Sequence, residues 1–322
     1  MRDIQLSRIS RNGVRGRYTP GATVDKSGSI GIIINPAAAG GKTLNLAPEI
    51  TERFAACGRT HHIHLSTRAG EPPVVARQMI TQGVETLVAV GGDGTINEIA
   101  SEILASGSDV ALGIIPSGSG SDFVRTLQLP HDIRSAIKIV SDRRVYPADA
   151  GRITFDDGTC HYFVNVAGLG FDAVVAEYAL ESRLPGSTLP YLASALKAMR
   201  VYTNMEMHIE SEHGTWEGRA ASVLFCNAKY FGGGMKIAPM AEIGDGLLDV
   251  CILGDLTHFE MIRALPGLFR GKHVTNPKFH HFTAKKISVV SQYPARVQAD
   301  GELFKYTPVT IDVLPGALKI CR

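Results

Sequence analysis

Three glycines and one acid, Gly91-Gly92-Asp93-Gly94-Thr95, bring together the residue types that hold a phosphate. Backbone N–H groups and the dipole at a helix N-terminus attract an anion, and glycine lets the backbone come close to it. Asp93 would repel a phosphate it touched directly, so its chemistry calls for a Mg²⁺ that the phosphates also ligate. The alternative is a tight strand-to-helix turn with no ligand. The stretch has neither the Gly-Lys-Ser/Thr of a Walker A loop nor the Gly-x-Gly-x-x-Gly of a dinucleotide fold. It implies a nucleotide phosphate site.

The neighbouring elements would position that turn. Thr86–Val90 reads as a buried strand, and Ile96, Ile99, Ala100, Ile103 and Leu104 fall on one helical face. Thr95 and Glu98 have the spacing of a capping box. Upstream, Ser29–Ile34 reads as a first strand ending in Asn35-Pro36, before the small-residue loop Ala37–Lys42 and a helix marked by Leu44, Ala47, Ile50 and Phe54. A strand at His61–Ser66, a helix carrying Val74, Val75, Met79 and Ile80, and a strand at Val110–Ile115 complete the run. Strands alternating with helices predict a parallel sheet covered on both faces, with ligands at the carboxyl ends of the strands. Asn35, Ser66, the glycine cluster and Pro116 all stand at those ends.

Beyond about residue 150 the pattern becomes mainly antiparallel and sandwich-like. Strands are expected at Tyr162–Val166, Met205–Glu210, Ala221–Cys226, Leu247–Leu253, Ile287–Val290 and Val309–Val313, with helices only near 172–200 and 257–270. Two apolar helical stripes run through Leu189, Tyr191, Leu192, Ala195, Leu196 and Met199, and through Phe259, Met261, Ile262, Leu265, Leu268 and Phe269. Each has basic neighbours (Arg183, Lys197 and Arg200; Arg263, Arg270 and Lys272), so each could face the core or lie on a bilayer. His61, His62 and His64 split between two strand faces, and neither they nor His280-His281 read as a zinc site.

The composition excludes several classes. With 322 residues, 44% hydrophobic and 20% charged, the chain can build two ordinary cores. No apolar run approaches a membrane span and no signal peptide is visible. Five scattered cysteines read as reduced thiols of a cytoplasmic protein. The net charge of +2 hides six basic and two acidic residues within 1–28, a local +4 that leaves −2 on the remainder. The body is therefore no nucleic-acid binder. The tail either assists contact with an anionic membrane or is a disordered or vector-derived extension.

Gly91–Glu98 resembles the signature of the diacylglycerol kinase catalytic-domain family, to which sphingosine kinases and bacterial lipid kinases belong. In order along the chain, Asn35-Pro36, Leu112–Phe123, Asn165–Asp172, Gly232–Pro239, Gly244–Val250 and Asp300-Gly301-Glu302 are similar to further landmarks. Ser119 stands where the family usually has Thr, and Ser121 where it has Asn.

The resemblance implies a Rossmann-like α/β domain over 29–147, which the last strands near 308–322 could complete. A β-sandwich lipid-acceptor domain over 148–307 follows, with the nucleotide cleft between the two. It implies ATP and Mg²⁺ as cofactors, and transfer of the γ-phosphate to a hydroxyl of a membrane lipid such as diacylglycerol. Glu302 would be the base, with Asp300 beside it and Asp93 organising metal and phosphate. Asn35, Pro36, Ser66, Gly91, Gly92, Asp93, Gly94, Thr95, Asn97 and Ser119 would contact the nucleotide. Asp245, with the main-chain oxygens of Glu242 and Leu247, would hold a structural Mg²⁺. For Glu302 the alternative is an exposed acid on an Asp-Gly hairpin turn, and for Asp245 a plain turn. Peripheral membrane contact is expected, and a homodimer is left open. A soluble NAD-kinase-like enzyme and a nucleotide-sensing regulatory protein are the rival functions.

Overall fold

In the computed structural model the described residues are 29–57, 60–68, 70–117, 121–181 and 188–322. The basic tail, Arg183 and Ser119 lie outside them. The strands are β1 (Ile30–Ile34), β2 (His61–Leu65), β3 (Thr86–Gly91), β4 (Ala111–Pro116), β5 (Val145–Phe155), β6 (Cys160–Phe163), β7 (Val166–Gly170) and β8 (Met205–Ser211). They continue as β9 (Gly214–Cys226), β10 (Leu248–Gly254), β11 (Phe279–Ala284), β12 (Lys286–Ser291), β13 (Arg296–Ala299), β14 (Glu302–Tyr306) and β15 (Val309–Cys321). The helices are α1 (Ala47–Ala56), α2 (Glu71–Gln82), α3 (Asp93–Ser106), α4 (Asp122–Leu127), α5 (Ile133–Asp142), α6 (Phe171–Leu180), α7 (Thr188–Ala198) and α8 (His258–Leu268).

The unbroken apolar runs of β1 and β3 are buried on both faces, as a parallel sheet requires. Order along this sheet is β2-β1-β3-β4, and the end of β15 joins it parallel to β4. One face packs Val75 and Met79 of α2, Ile96 and Ile99 of α3, and Phe123 of α4. The other packs Ile50 and Phe54 of α1 and Ile137 and Val140 of α5. From β1 the chain crosses to β2 on one side and then to β3 on the other. The switch between β1 and β3 therefore opens a crevice at their carboxyl ends.

β5 and β15 pair antiparallel through both halves of the molecule, so the boundary expected at residue 147 falls inside a continuous strand. Around that ribbon the antiparallel second half is built. β15 pairs β12, β12 pairs β8 and β8 pairs the start of β9; the end of β9 lies between β7 and β10. Ile153, Phe163, Leu169, Ile209, Phe225, Ile252, Val289 and Ile311 interdigitate as its core, the sandwich expected from the sequence.

Three expectations change. The strand expected over Tyr162–Val166 is two strands, because the Asp300 carboxylate takes the N–H groups of Val164, Asn165 and Val166 away from any ladder. The helix near 172–200 is two helices, α6 and α7. Thr95 and Glu98 form no capping box, since α3 already starts at Asp93 with Gly92 as its cap residue.

Candidate active site

The glycine turn lies where the sheet directs it. Gly91 ends β3, and a Cβ there would come within 2.6 Å of Thr95 Oγ1, so this glycine serves packing of the turn onto its own helix. Gly92 and Gly94 differ: a Cβ at either would meet no atom of the described residues within 4 Å. Neither has a left-handed backbone, so their smallness leaves open a space above the N-terminus of α3. That cradle fits an anion.

Neighbouring loops close on the same place. Asn35 donates from its backbone to Val90 O at 3.0 Å and from Nδ2 to Thr95 Oγ1 at 2.9 Å, bridging the β1–β3 switch. Pro36 follows it, half-buried. Thr43 Oγ1 donates to Ser117 Oγ at 2.8 Å, tying the small-residue loop to the loop after β4. Ser66 N donates to Ile34 O at 2.9 Å, and the buried Oγ of Ser66 and Oδ1 of Asn97 have no partner among the described residues.

Asp93, expected to organise metal and phosphate, is held by the loop after β4. Its carboxylate accepts Ser121 Oγ at 2.7 Å and the N–H groups of Asp122 and Phe123 at 2.9 and 3.1 Å. It thus fastens the start of α4 across the cleft, and Ser121 is one of its donors. Asp122 was not singled out from the sequence, although it sits in one of the quoted landmarks. Burial first, and Asp93 second, push its carboxyl up to about 7, against donation from Gly233 N at 2.8 Å and the Arg125 ion pair at 2.9 Å.

The second half supplies the Asp300-Gly301 turn. Both residues have positive φ (48° and 87°), making the two-residue hairpin that joins β13 to β14. The enclosed Asp300 carboxyl accepts Val164 N at 2.8 Å, Asn165 N at 3.1 Å and Val166 N at 3.0 Å; burial still pushes it up to about 7. Glu302, first residue of β14, is exposed, yet crowding by protein raises its carboxyl. It faces Glu98 of α3, which burial and then the Glu302 charge raise in turn. The hairpin and the acid at its end belong to one structure.

Asp93, Asp122, Asn165, Val166, Gln298, Asp300 and Gly301 line an acidic cleft. Among the described residues, no group of three or more His, Cys, Asp or Glu side chains converges as a metal centre. The cleft does offer oxygen donors around an opening, and Asn165 Oδ1 is buried there without a partner among the described residues. Such a set fits a hard cation shared with phosphates rather than one caged by protein alone. Asp245 lies outside the cleft on an exposed turn where Leu247 N donates to its Oδ1 at 3.0 Å. Burial and the neighbouring Asp249, Asp149 and Glu242 raise its carboxyl, a crowding of negative charge that a cation would relieve. Elsewhere, His64 meets Glu71 at 3.1 Å and His281 meets Asp249 at 2.6 Å.

Against the acidic cleft lies a second, apolar cavity walled by α6, α7, α8 and the β9–β10 face. The two helical stripes split between surfaces. Tyr191, Leu192, Ala195 and Met199, with Met261, Leu265 and Leu268, line the cavity, while Leu189 (61%) and Phe259 (73%) are exposed. Tyr191, Phe231 and Gly232 are walls of both cavities. No described helix is long and apolar enough to cross a membrane.

Comparison with known proteins follows this division. The diacylglycerol kinase catalytic domain profile matches residues 29–153, and the YegS C-terminal NAD kinase beta sandwich-like domain matches residues 165–322. A diacylglycerol kinase of Mycobacterium tuberculosis is 33% identical over 247 residues, 76% of this chain and 78% of the relative. A diacylglycerol kinase of Bacillus subtilis is 29% identical over 258 residues, 79% and 83% of the two chains. The crystal structure of a candidate diacylglycerol kinase from Bacillus anthracis superposes with a TM-score of 0.76 at 25% identity, covering 92% of this chain and 98% of that one. The chain belongs to the diacylglycerol kinase catalytic-domain family of lipid kinases.

Proposed function

We propose, from that membership, that this kinase transfers the γ-phosphate of ATP to a hydroxyl of a membrane lipid, diacylglycerol being the acceptor class its relatives' names suggest. The observation that carries the reading is the adjacency of the two cavities. An apolar cavity and an acidic, oxygen-lined cleft share Tyr191, Phe231 and Gly232 as walls. That is the division an amphiphile needs, with chains on one side and the reacting head on the other. A soluble cofactor kinase has no use for the apolar half, which speaks against that rival.

In this reading Asn35, Pro36, Ser66, Gly91, Gly92, Gly94, Thr95 and Asn97 take the nucleotide at the carboxyl ends of the parallel strands. Mg²⁺, bound with the nucleotide near Asp93, Asn165 and Asp300, would neutralise phosphate charge. The protein's own work is positioning, because phosphoryl transfer leaves it little covalent chemistry. Glu302, raised above the ordinary carboxylate range, accepts the proton of the acceptor hydroxyl. Asp300 fixes the cleft wall beside it, and Asp93 holds the α4 loop over the phosphates. A second Mg²⁺ at Asp245, with the Glu242 and Leu247 carbonyl oxygens, would brace the turn before β10.

The lipid is reached from the bilayer. Exposed Leu189, Leu196, Phe259 and Ile262 stand on the outer faces of the cavity helices, beside exposed Lys197, Arg200, Arg263, Arg270 and Lys272. Apolar contact plus attraction to anionic lipid is the combination that holds a protein at an interface.

The deciding experiment is transfer of label from γ-labelled ATP to total lipid in mixed micelles, with Glu302→Gln as control. A labelled lipid that disappears in the control supports the reading. Label on a soluble acceptor alone, or none, would overturn it.

A further inference from the structure

Both cavities meet at Tyr191, Phe231 and Gly232. Tyr191, in the first turn of α7, lines the apolar cavity and the acidic cleft alike. Its ring stands edge-on to Phe231, with centroids 5.6 Å apart. On its other side it lies against Gly232, where a Cβ would come within 3.0 Å of the ring. Gly232 has φ +60°, so both the backbone and the close approach call for glycine. Thr188 Oγ1 donates to Gly233 O at 2.7 Å, tying the start of α7 to this loop. Gly233 N in turn donates to Asp122 Oδ2 at 2.8 Å, so the loop that seats the ring also holds an acid of the cleft.

The phenol stands within electrostatic reach of two carboxylates, Asp172 on the apolar side and Asp122 on the acidic side. Asp172 is itself fixed, accepting Ser222 Oγ at 3.1 Å and Gln298 Nε2 at 3.0 Å. Gln298 lines the acidic cleft and accepts Gly301 N at 3.3 Å, one residue before Glu302. A polar path thus runs from Asp172 to the turn that carries Glu302, with Tyr191 beside it.

We propose that Tyr191 is the gate and positioning residue for the acceptor: its ring separates the apolar cavity from the cleft, and its hydroxyl hydrogen-bonds the head group as that head reaches Glu302. This rests on the lipid-kinase reading. A neutral phenol donates to the oxygen of the acceptor hydroxyl, which leaves that hydroxyl's own proton directed at Glu302, so the matching chemistry is a hydroxylated lipid head. The ring keeps the apolar side of the cleft closed to bulk water when no acceptor is present. That limits transfer of the phosphoryl group to water.

The test compares wild type, Tyr191→Phe and Tyr191→Leu on dioleoylglycerol in mixed micelles and on water-soluble dibutyrylglycerol. For each, kcat, both KM values and the ATP hydrolysed per lipid phosphorylated are measured. Tyr191→Phe should lower kcat about tenfold on both acceptors with KM for ATP unchanged, as one lost head-group hydrogen bond predicts. Tyr191→Leu should also raise acceptor-independent ATP hydrolysis several-fold and narrow the preference for the long-chain acceptor. A Tyr191→Phe kcat within twofold of wild type would overturn the proposal; that variant keeps the ring packing and decides the matter even if Tyr191→Leu fails to fold. If wild type itself phosphorylates neither acceptor, the lipid-kinase reading falls and takes the gate with it.

Discussion

Asp300 is the residue whose replacement the structure prices most directly. In Asp300→Asn the shape is kept, but one of the two oxygens becomes an NH₂ group facing N–H donors. If Oδ2 is lost, Val164 N loses its acceptor; if Oδ1 is lost, Val166 N does, while Asn165 N reaches the survivor either way. An unsatisfied buried donor costs about 1–3 kcal/mol. That is about 2–12 °C in Tm for a domain of this size. The assay is thermal unfolding at pH 5, where Asp300 keeps its proton and a neutral carboxyl is compared with a neutral amide, beside acceptor kinetics. Because Asp300 separates β6 from β7 and opens the β13–β14 turn, kcat should fall with the melting temperature. A Tm within 2 °C of wild type would show that the three N–H groups do not depend on this carboxylate.

Other outcomes follow from the same geometry. Glu302→Gln should lower kcat by about 10²–10⁴, the usual range for a lost general base, while ATP affinity from equilibrium titration stays within a few-fold. Gly94→Ala, whose Cβ meets no atom of the described residues, should leave the melting temperature unchanged or higher yet weaken ATP binding; Gly91→Ala, crowding Thr95 Oγ1 at 2.6 Å, should lower the melting temperature outright. Asp245→Asn should abolish any rise in melting temperature on adding Mg²⁺ without nucleotide, and an unchanged rise would remove Asp245 from metal binding. Asp122 and Asp300, both at about 7 when folded and with an ordinary value of 3.8, keep protons that the unfolded chain has released. Their contribution to stability is complete below pH 4 and is lost as pH rises toward 7, so in chelator stability should decline from pH 5 to 8 and Asp122→Asn should flatten that decline.

Much of the first half was legible because local rules and the fold agree there. Apolar runs bounded by Asn35-Pro36 and Gly91 can only be buried strands, and their alternation with helices fixes a switch point that brings Asn35 to Thr95. The second half was harder to read. The strand expected at Tyr162–Val166 carries a regular apolar pattern, and what breaks it is Asp300, more than 130 residues away. Helices α4 and α5 did carry signals: Asp132 Oδ1 accepts Ser135 N at 2.8 Å as a cap, and Ser121 Oγ accepts Val124 N at the start of α4. Asp122 and Gln298 carry none, since their place in the cleft depends on how the two halves meet.

The Asp300-Gly301-Glu302 turn illustrates why a hairpin signal and a catalytic signal need not compete. A two-residue turn with both φ positive forces the chain to reverse within one step, so the flanking side chains take fixed and different directions. One, Asp300, turns inward onto three backbone donors; the next side chain, Glu302, emerges exposed within electrostatic reach of Glu98. The rigidity that makes the stretch a good hairpin is what a general base requires, because a base held loosely loses its orientation to the hydroxyl. Moving Glu302 by one position would turn it to the other face of β14. The expected outcome is that Glu302→Asp, which keeps the charge but shortens the reach, loses most of the activity that Glu302→Gln loses, with ATP affinity again unchanged. Near wild-type turnover in that variant would mean that a carboxylate anywhere near the turn suffices, and that the turn's geometry is not what the chemistry uses.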